Sequence, residues 1–449
     1  MIGDLLQPEI TELIQEAKWK ELLEIIEDWP NPEIADLLMS LDKADRVVFF
    51  RLLPRKTSSQ VFAELDSEQQ NALLLEMSDE ETRHLLANIR PDDRTELFGE
   101  LPGQATQRLL NLLSPEDLKE ARQLLGYPEE SIGRLMTPDY VAVRPHWRIG
   151  DAIQHIRKMG KFSETLNNIY VTDSSWKLLD ALELKLLILA DPDKLVEDIM
   201  DNTFVSVSAT DDQEIAVQVF QRYDKFVLPV VDSEGILVGI ITVDDVLDVA
   251  EEEATEDFHK TAAVAPLEKT YRETSIWQLF TKRIGWLLIL VLVSLMSSGV
   301  IAAYEEVLET AIALAFFIPL LIGSAGNAGA QAATLMVRAL AIDDVQLSNW
   351  LMTTGKEMLV GVFLGIVMGA ACYVLGIFFG GTVIGIIVGL TMVSIIVVAN
   401  IVGTLLPFML TFFKIDPAVA SSPLIATIMD ATGLLIYFSI AILFIDLGV

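Results

Sequence analysis

From residue 33 to 118 the apolar positions keep a 12-residue period. Leu41, Leu53, Leu65, Met77, Ile89, Leu101 and Leu113 recur at that interval. Each is preceded three and four positions earlier by two more apolar residues, from Leu37 and Leu38 through to Leu109 and Leu110. Such i, i+1, i+4 spacing places three apolar side chains on one helix face. The residue after each anchor is Asp42, Pro54, Asp66, Ser78, Arg90, Pro102 or Ser114, mostly turn or N-cap types. The pattern predicts a run of short helices stacked into an all-α superhelix over residues 1–130, a scaffold rather than a catalytic centre.

The rhythm changes over 131–250, where strand-type runs alternate with helical ones and the pattern repeats after about 60 residues. Ile132-Gly-Arg-Leu-Met136 is answered by Val196-Glu-Asp-Ile-Met200, Val141-Ala-Val143 by Val205-Ser-Val207, and Ile169-Tyr-Val-Thr-Asp173 by Leu228-Pro-Val-Val-Asp232. The two units, 131–193 and 194–250, resemble a tandem pair of CBS domains, an α/β regulatory module that often binds adenine nucleotides or cations. In the second unit Thr242-x-x-Asp245 fits the ribose-contacting pattern of nucleotide-binding members, which makes Thr242 and Asp245 the candidate nucleotide residues and ATP the candidate nucleotide. The first unit departs from that pattern. Trp176 and Asp180 stand where the second has Gly235 and Gly239, and Leu182-Glu-Leu-Lys185 replaces the Thr-x-x-Asp sequence.

Past Arg283 the chain becomes strongly apolar. Five stretches, 284–304, 310–340, 358–379, 382–413 and 417–445, contain only Arg338 and Asp430 as charged residues. Each reaches the roughly 20 residues that span a bilayer, so 281–449 is expected to be an all-α domain of five transmembrane helices. If the spans alternate, Lys282, Arg283, Arg338, Lys356 and Lys414 fall on one side. Glu305, Glu306, Glu309, Asp446 and the Gly380-Gly381 turn fall on the other. The positive-inside bias then places the N-terminus in the cytosol and the C-terminus outside. The start, MIGDLLQPEI, lacks the basic and apolar regions of a secretory signal, in keeping with a cytosolic soluble half.

Charge separates the same two halves. The 449 residues hold 32 Lys+Arg against 64 Asp+Glu, a net charge of −32, yet the mean hydropathy is +0.43. From Thr274 onward there are five basic and nine acidic residues, which leaves the preceding part at −28. This is an acidic cytosolic portion on a multi-pass protein of the plasma (inner) membrane, and the acidity excludes nucleic acid as a partner. No Gly-x-x-x-x-Gly-Lys-Ser/Thr loop supports ATP-driven pumping. The four histidines are scattered, no Cys/His zinc set exists, and Asp430 has no second acid in its span, so an enzyme is not expected.

Two membrane features point to a pathway instead. A carboxylate at Asp430 is costly in lipid unless it faces a water-filled route or a partner. The run Pro319 to Gln331, with Gly323, Gly326, Asn327, Gly329 and Gln331, combines small residues with polar groups four apart on one face. It suits either close helix packing or bare backbone lining a cavity. Before the first span, acids thicken from Asp244 and Asp245 through Asp248, Glu251, Glu252, Glu253, Glu256 and Asp257. Such a helix is commonly a solvated face, but its position before the pore suits hard cations, which prefer oxygen ligands.

In order, the chain has an acidic helical repeat, a CBS-like pair, an acidic connecting helix over 251–280 and five spans. With the sequences Gly-Ser-Ala-Gly-Asn-Ala-Gly-Ala-Gln331, Asn400-Ile-Val-Gly-Thr-Leu-Leu-Pro407 and Pro423-Leu-Ile-Ala-Thr-Ile-Met-Asp430-Ala-Thr-Gly433, this resembles the MgtE family of magnesium transporters or channels. The resemblance implies a homodimer in the lipid bilayer, with the second and fifth spans lining one pore. Asp430 would meet a hydrated magnesium ion there, with Asn327, Gly326 and Gln331 nearby. It also implies feedback, in which cytosolic magnesium closes the pore by binding Asp93, Asp212, Glu214, Asp224, Asp245, Asp248, Glu253, Glu256, Asp257 and Asp416. Two other functions stay open: a proton- or sodium-coupled secondary transporter for magnesium, manganese or cobalt, and a membrane-anchored CBS sensor that transports nothing.

Overall fold

In a computed structural model of the chain, residues 10, 12–14, 16, 18–101, 103–267, 271, 274–342 and 344–446 are described. Pro102 and the C-terminal residue, on which one expected turn and the terminus orientation fall, lie outside them. The chain divides into two compact units, Met1–Ala250 and Glu251–Val449.

In the first unit the 12-residue period becomes a series of helices: Asn31–Ser40, Lys43–Leu52, Arg55–Ala63, Ser67–Glu76, Asp79–Leu86, Pro91–Glu100, Gly103–Leu110 and Pro115–Leu124. A further helix, Trp19–Ile26, precedes the periodic segment. Four of the expected turn residues cap these helices through their side chains, while Pro54 and Arg90 hold N-cap positions without a side-chain bond. Asp42 accepts from Ala44 N and Asp45 N at 3.0 Å, Asp66 from Gln69 N at 2.9 Å and Ser114 from Asp117 N at 3.1 Å, while Ser78 and Glu81 form a reciprocal capping box. The paired positions Leu38, Phe50, Phe62, Leu74, Leu86, Phe98 and Leu110 are all buried, giving one continuous core along the stack.

The CBS-like pair consists of two three-stranded sheets of the same topology. Ala142–Val143 lies parallel to Asn168–Thr172, which pairs antiparallel with Leu178–Glu183. Val207–Ser208, Val227–Val231 and Leu237–Thr242 repeat the arrangement. Bridges between Lys177 and Ile236 and between Thr137 and Ile240 tie the copies together. The last helix, Val243–Thr261, continues without a break past residue 250, and the next begins at Ile276. The connecting helix expected over 251–280 is therefore the C-terminal part of a CBS helix and ends at Thr261, short of the expected bound.

The second unit contains helices Ile276–Ala303, Ile318–Ala341, Trp350–Phe412 and Ser422–Asp446. As one rod the 63-residue helix would run about 95 Å, some three times the hydrocarbon thickness. It is broken at Gly381, whose φ of 84° and ψ of 179° suit only glycine. The chain folds back there, so Gly365 meets Val393, Gly369 meets Gly389 and Gly376 meets Gly385. Two helices result, which makes five long and apolar enough to cross a membrane among the described residues. A Cβ on Gly376 would lie 2.5 Å from the Gly385 Cα, backbone that cannot move aside. Gly376→Val should therefore open this hairpin and lower the thermal midpoint of the detergent-solubilised protein by several degrees, whereas the exposed Gly299→Val should not. Equal midpoints would show that the hairpin tolerates separation.

Candidate functional site

Asp430 lies half-buried on the helix Ser422–Asp446, facing a concave depression of about 300 Å³. One wall comes from that helix (Ser422, Pro423, Ala426 and Asp430). The other comes from Ile318–Ala341 (Ile322, Gly323, Gly326, Asn327 and Ala330). Small residues bring the walls together. A Cβ on Gly326 would stand 3.2 Å from the Ala426 Cβ, and one on Gly329 would strike Ile425. Among the described residues no lysine or arginine pairs with Asp430. Gln331 is outside the lining. It is exposed on the same helix, in a polar stripe with Gly323, Asn327 and Thr334. The depression thus offers one carboxylate, one carboxamide and glycine backbone, a set that receives the hydrogen bonds of a hydrated cation.

The two ends of this bundle differ. At one, Ala265 N donates to Lys282 O at 3.0 Å and Lys260 meets Asp416 at 2.7 Å. At the other, Tyr304 stacks on Phe438 at 5.0 Å and the Tyr437 hydroxyl donates to Leu314 O at 2.9 Å. Asp416 caps the turn Pro417–Val419, accepting from Ala418 N at 2.8 Å, immediately before the Asp430 helix. Glu253, Glu256 and Asp257 share one face of Val243–Thr261 through their three- and four-residue spacing. Burial pushes the Asp257 carboxyl above its ordinary range, and the charge of Asp416 adds to this, against Lys260 and Arg338.

A second gathering of acids lies in the first unit. Two helices start with paired aspartates, Pro91–Glu100 with Asp92 and Asp93, and Val243–Thr261 with Asp244 and Asp245. Helix N-termini favour anions, but here burial and mutual repulsion win. Asp92 is raised well above the usual carboxylate range by burial and then by Asp245. Asp245 is pushed up to about 7, by burial first and then by Asp244 and Asp93, although the Thr242 hydroxyl donates to it at 2.6 Å. Asp93 is raised by burial and by Asp244, and Glu64 by burial and then by Asp93 and Asp248. Arg90, paired with Glu164 at 2.8 Å, is the cation facing this group. The Asp92 Oδ1 is buried without a hydrogen-bond partner among the described residues.

The remaining candidates separate. Asp212 caps the start of Gln213–Tyr223 by accepting from Glu214 N at 2.9 Å, while Asp224 ends the same helix in the left-handed conformation. About 16 Å of helix divides them, so within one chain they cannot share an ion. Among the described residues no three His, Cys, Asp or Glu side chains already converge as a metal cage. In the first CBS copy, Trp176 takes the same positive-φ turn as Gly235 and lies under the Arg144 guanidinium, 4.6 Å from its ring. Asp180 is buried and accepts from Asp201 N and Asn202 N at 3.0 Å. In the first copy these residues therefore serve a tight turn and the anchoring of the loop at Asp201 and Asn202.

Glu64, Asp92, Glu164 and Lys260 were not singled out in the sequence, and Asp244 and Arg90 were noted there only as part of an acidic run and as a turn residue. Only the doubled acids at two helix starts gave a readable sign, because their facing depends on how the repeat docks on the CBS pair.

Comparison with known proteins agrees with this architecture. Residues 318–440 match a family described as a divalent cation transporter (MgtE), residues 29–130 the MgtE intracellular N domain and residues 196–252 the CBS domain. The chain is 38% identical over 440 residues to the magnesium transporter MgtE of Thermus thermophilus, covering 97% of this chain and 98% of that one. It is 34% identical over 328 residues to the magnesium transporter MgtE of Bacillus subtilis, covering 73% and 72%. Among solved structures it is similar to the cytosolic domain of the Mg2+ channel MgtE in complex with ATP (36% identity, TM-score 0.52, 54% of this chain and 98% of that one). The soluble part of a magnesium transporter is also similar (29% identity, TM-score 0.52, 55% and 97%). The chain belongs to the MgtE family of magnesium transporters.

Proposed function

We propose that this protein is a magnesium channel in which two copies form one pore and cytosolic magnesium closes it. The observation that carries this reading is Asp430 on the wall of an open depression, beside Asn327 and without a cationic partner among the described residues. One chain leaves the stripe Gly323, Asn327, Gln331 and Thr334 exposed. Hydrocarbon is a poor neighbour for that stripe, and a second copy would cover it. Magnesium gives up its waters reluctantly. Two facing Asp430 carboxylates would therefore hold the ion through its hydration shell, strongly enough to admit it and loosely enough to release it. The basic residues near the bundle's Lys260 end support a cytosolic position for that end.

Closure would use the acid sets. Asp93 and Asp245, joined by Asp92 and Asp244, would take ions in the soluble part, and Glu256, Asp257 and Asp416 would take them beside the pore. Glu253, Asp248, Glu214, Asp212 and Asp224 are further contributors, the last three only with groups from elsewhere. A cation that binds the compact form alone favours it by linkage. Flux that follows the electrochemical gradient of magnesium in proteoliposomes, without an imposed proton or sodium gradient, supports the channel. Flux that requires either gradient would favour the coupled transporter.

The pH behaviour follows from the same carboxylates. Asp245 holds its proton more tightly in the folded protein, so its stabilising share is full below the ordinary value of 3.8 and is lost as pH rises through about 7. Without divalent ions, the docking of the helical repeat on the CBS pair should resist proteolysis better at pH 5 than at pH 8. Magnesium should restore protection at the higher pH, and Asp245→Asn should flatten the profile. Protection indifferent to both pH and magnesium would count against this cluster as a sensor. ATP binding at Thr242 and Asp245 is the second reading, favoured by the ATP complex of the similar cytosolic domain.

A further inference from the structure

Lys260 stands one helical turn after Glu256, and its ammonium lies between two carboxylates. It contacts Glu256 and reaches the Asp416 Oδ2 at 2.7 Å. The other Asp416 oxygen accepts from Ala418 N, so both oxygens of this carboxylate are engaged by the protein itself. Burial alone would lower the Lys260 pKa, yet the hydrogen bonds to Asp416 and Glu256 hold it above the ordinary lysine value. Asp257 faces the same charges, with Arg338 as the second cation.

We propose that Lys260 is a tethered competitor of magnesium, an internal cation that links the connecting helix to the loop before the Asp430 helix and must be displaced from Asp416 and Glu256 when a divalent ion binds there. This rests on the reading of Glu256, Asp257 and Asp416 as a closing set. An ammonium and a divalent ion held by the same two carboxylates repel each other strongly at such range, so occupancy by one weakens binding of the other. The flexible four-carbon stem lets the lysine withdraw into water. Occupancy by the lysine weakens apparent magnesium affinity at this set, which moves the closing threshold upward while sparing the acids from unscreened mutual repulsion.

Calorimetric titration of the full-length, detergent-solubilised protein with magnesium chloride tests this, using Asp257→Asn to identify the heat that belongs to the set. Lys260→Met keeps the stem and removes the charge. It should tighten binding at the Asp257-dependent sites about tenfold, while Lys260→Arg stays near wild type. Unchanged or weaker binding in Lys260→Met, with Asp257→Asn still reducing it, overturns the competitor and leaves the closing set intact. Should Asp257→Asn alter neither the titration nor the inhibition of flux by magnesium, the closing set itself is rejected and the role of Lys260 with it.

Discussion

Asp430→Asn is expected to lower magnesium uptake into proteoliposomes by about a hundredfold or more, a barrier increase of about 2.7 kcal/mol. Thermal stability and oligomeric state should stay at wild-type levels or improve. The substitution preserves size and one hydrogen-bond acceptor, so the packing of Gly326 on Ala426 and of Gly329 on Ile425 is unaffected. What disappears is the charge, and with no cation paired to it among the described residues, nothing structural depends on that charge. Relieving a carboxylate at membrane depth can only reduce the cost of folding. Asn327 cannot substitute, because a neutral amide lacks the charge that attracts a hydrated divalent ion. Flux near the wild-type rate would remove Asp430 from the pathway.

The second large effect concerns closure. Neutralising Asp248, Glu256 and Asp257 together should leave the pore open at internal magnesium concentrations that shut the wild type, raising the half-inhibitory concentration about tenfold or more. Burial and then the charge of Asp416 raise the Asp257 carboxyl, so under the proposed closure each neutralised acid would remove a ligand and part of the repulsion that ions would relieve. Inhibition identical to wild type would place the sensor elsewhere.

The parts of this fold that read directly from the sequence are those set by local chemistry. The 12-residue period named the buried face of the helical repeat, and Asp42, Asp66, Ser78 and Ser114 cap the helices they precede. Gly381 broke an apolar run that length alone could not divide. The long range resisted. The facing of Asp92 and Asp245 depends on how two independently patterned segments dock. The ion pair of Lys260 with Asp416 spans 156 positions. Asp212 and Asp224 looked alike as acids, yet one is an N-cap and the other a left-handed C-cap of the same helix. Acid type predicts oxygen ligands, but only tertiary packing decides which oxygens meet.

The most direct test is to locate the ion itself. Manganese substituted for magnesium in a crystal of the full-length protein marks its position by anomalous scattering. The predicted result is one peak on a two-fold axis between the Asp430 carboxylates of two copies, separated from them by water. A pair of copies whose Asp430 side chains face lipid, or a transport-site peak away from both carboxylates, would contradict the account.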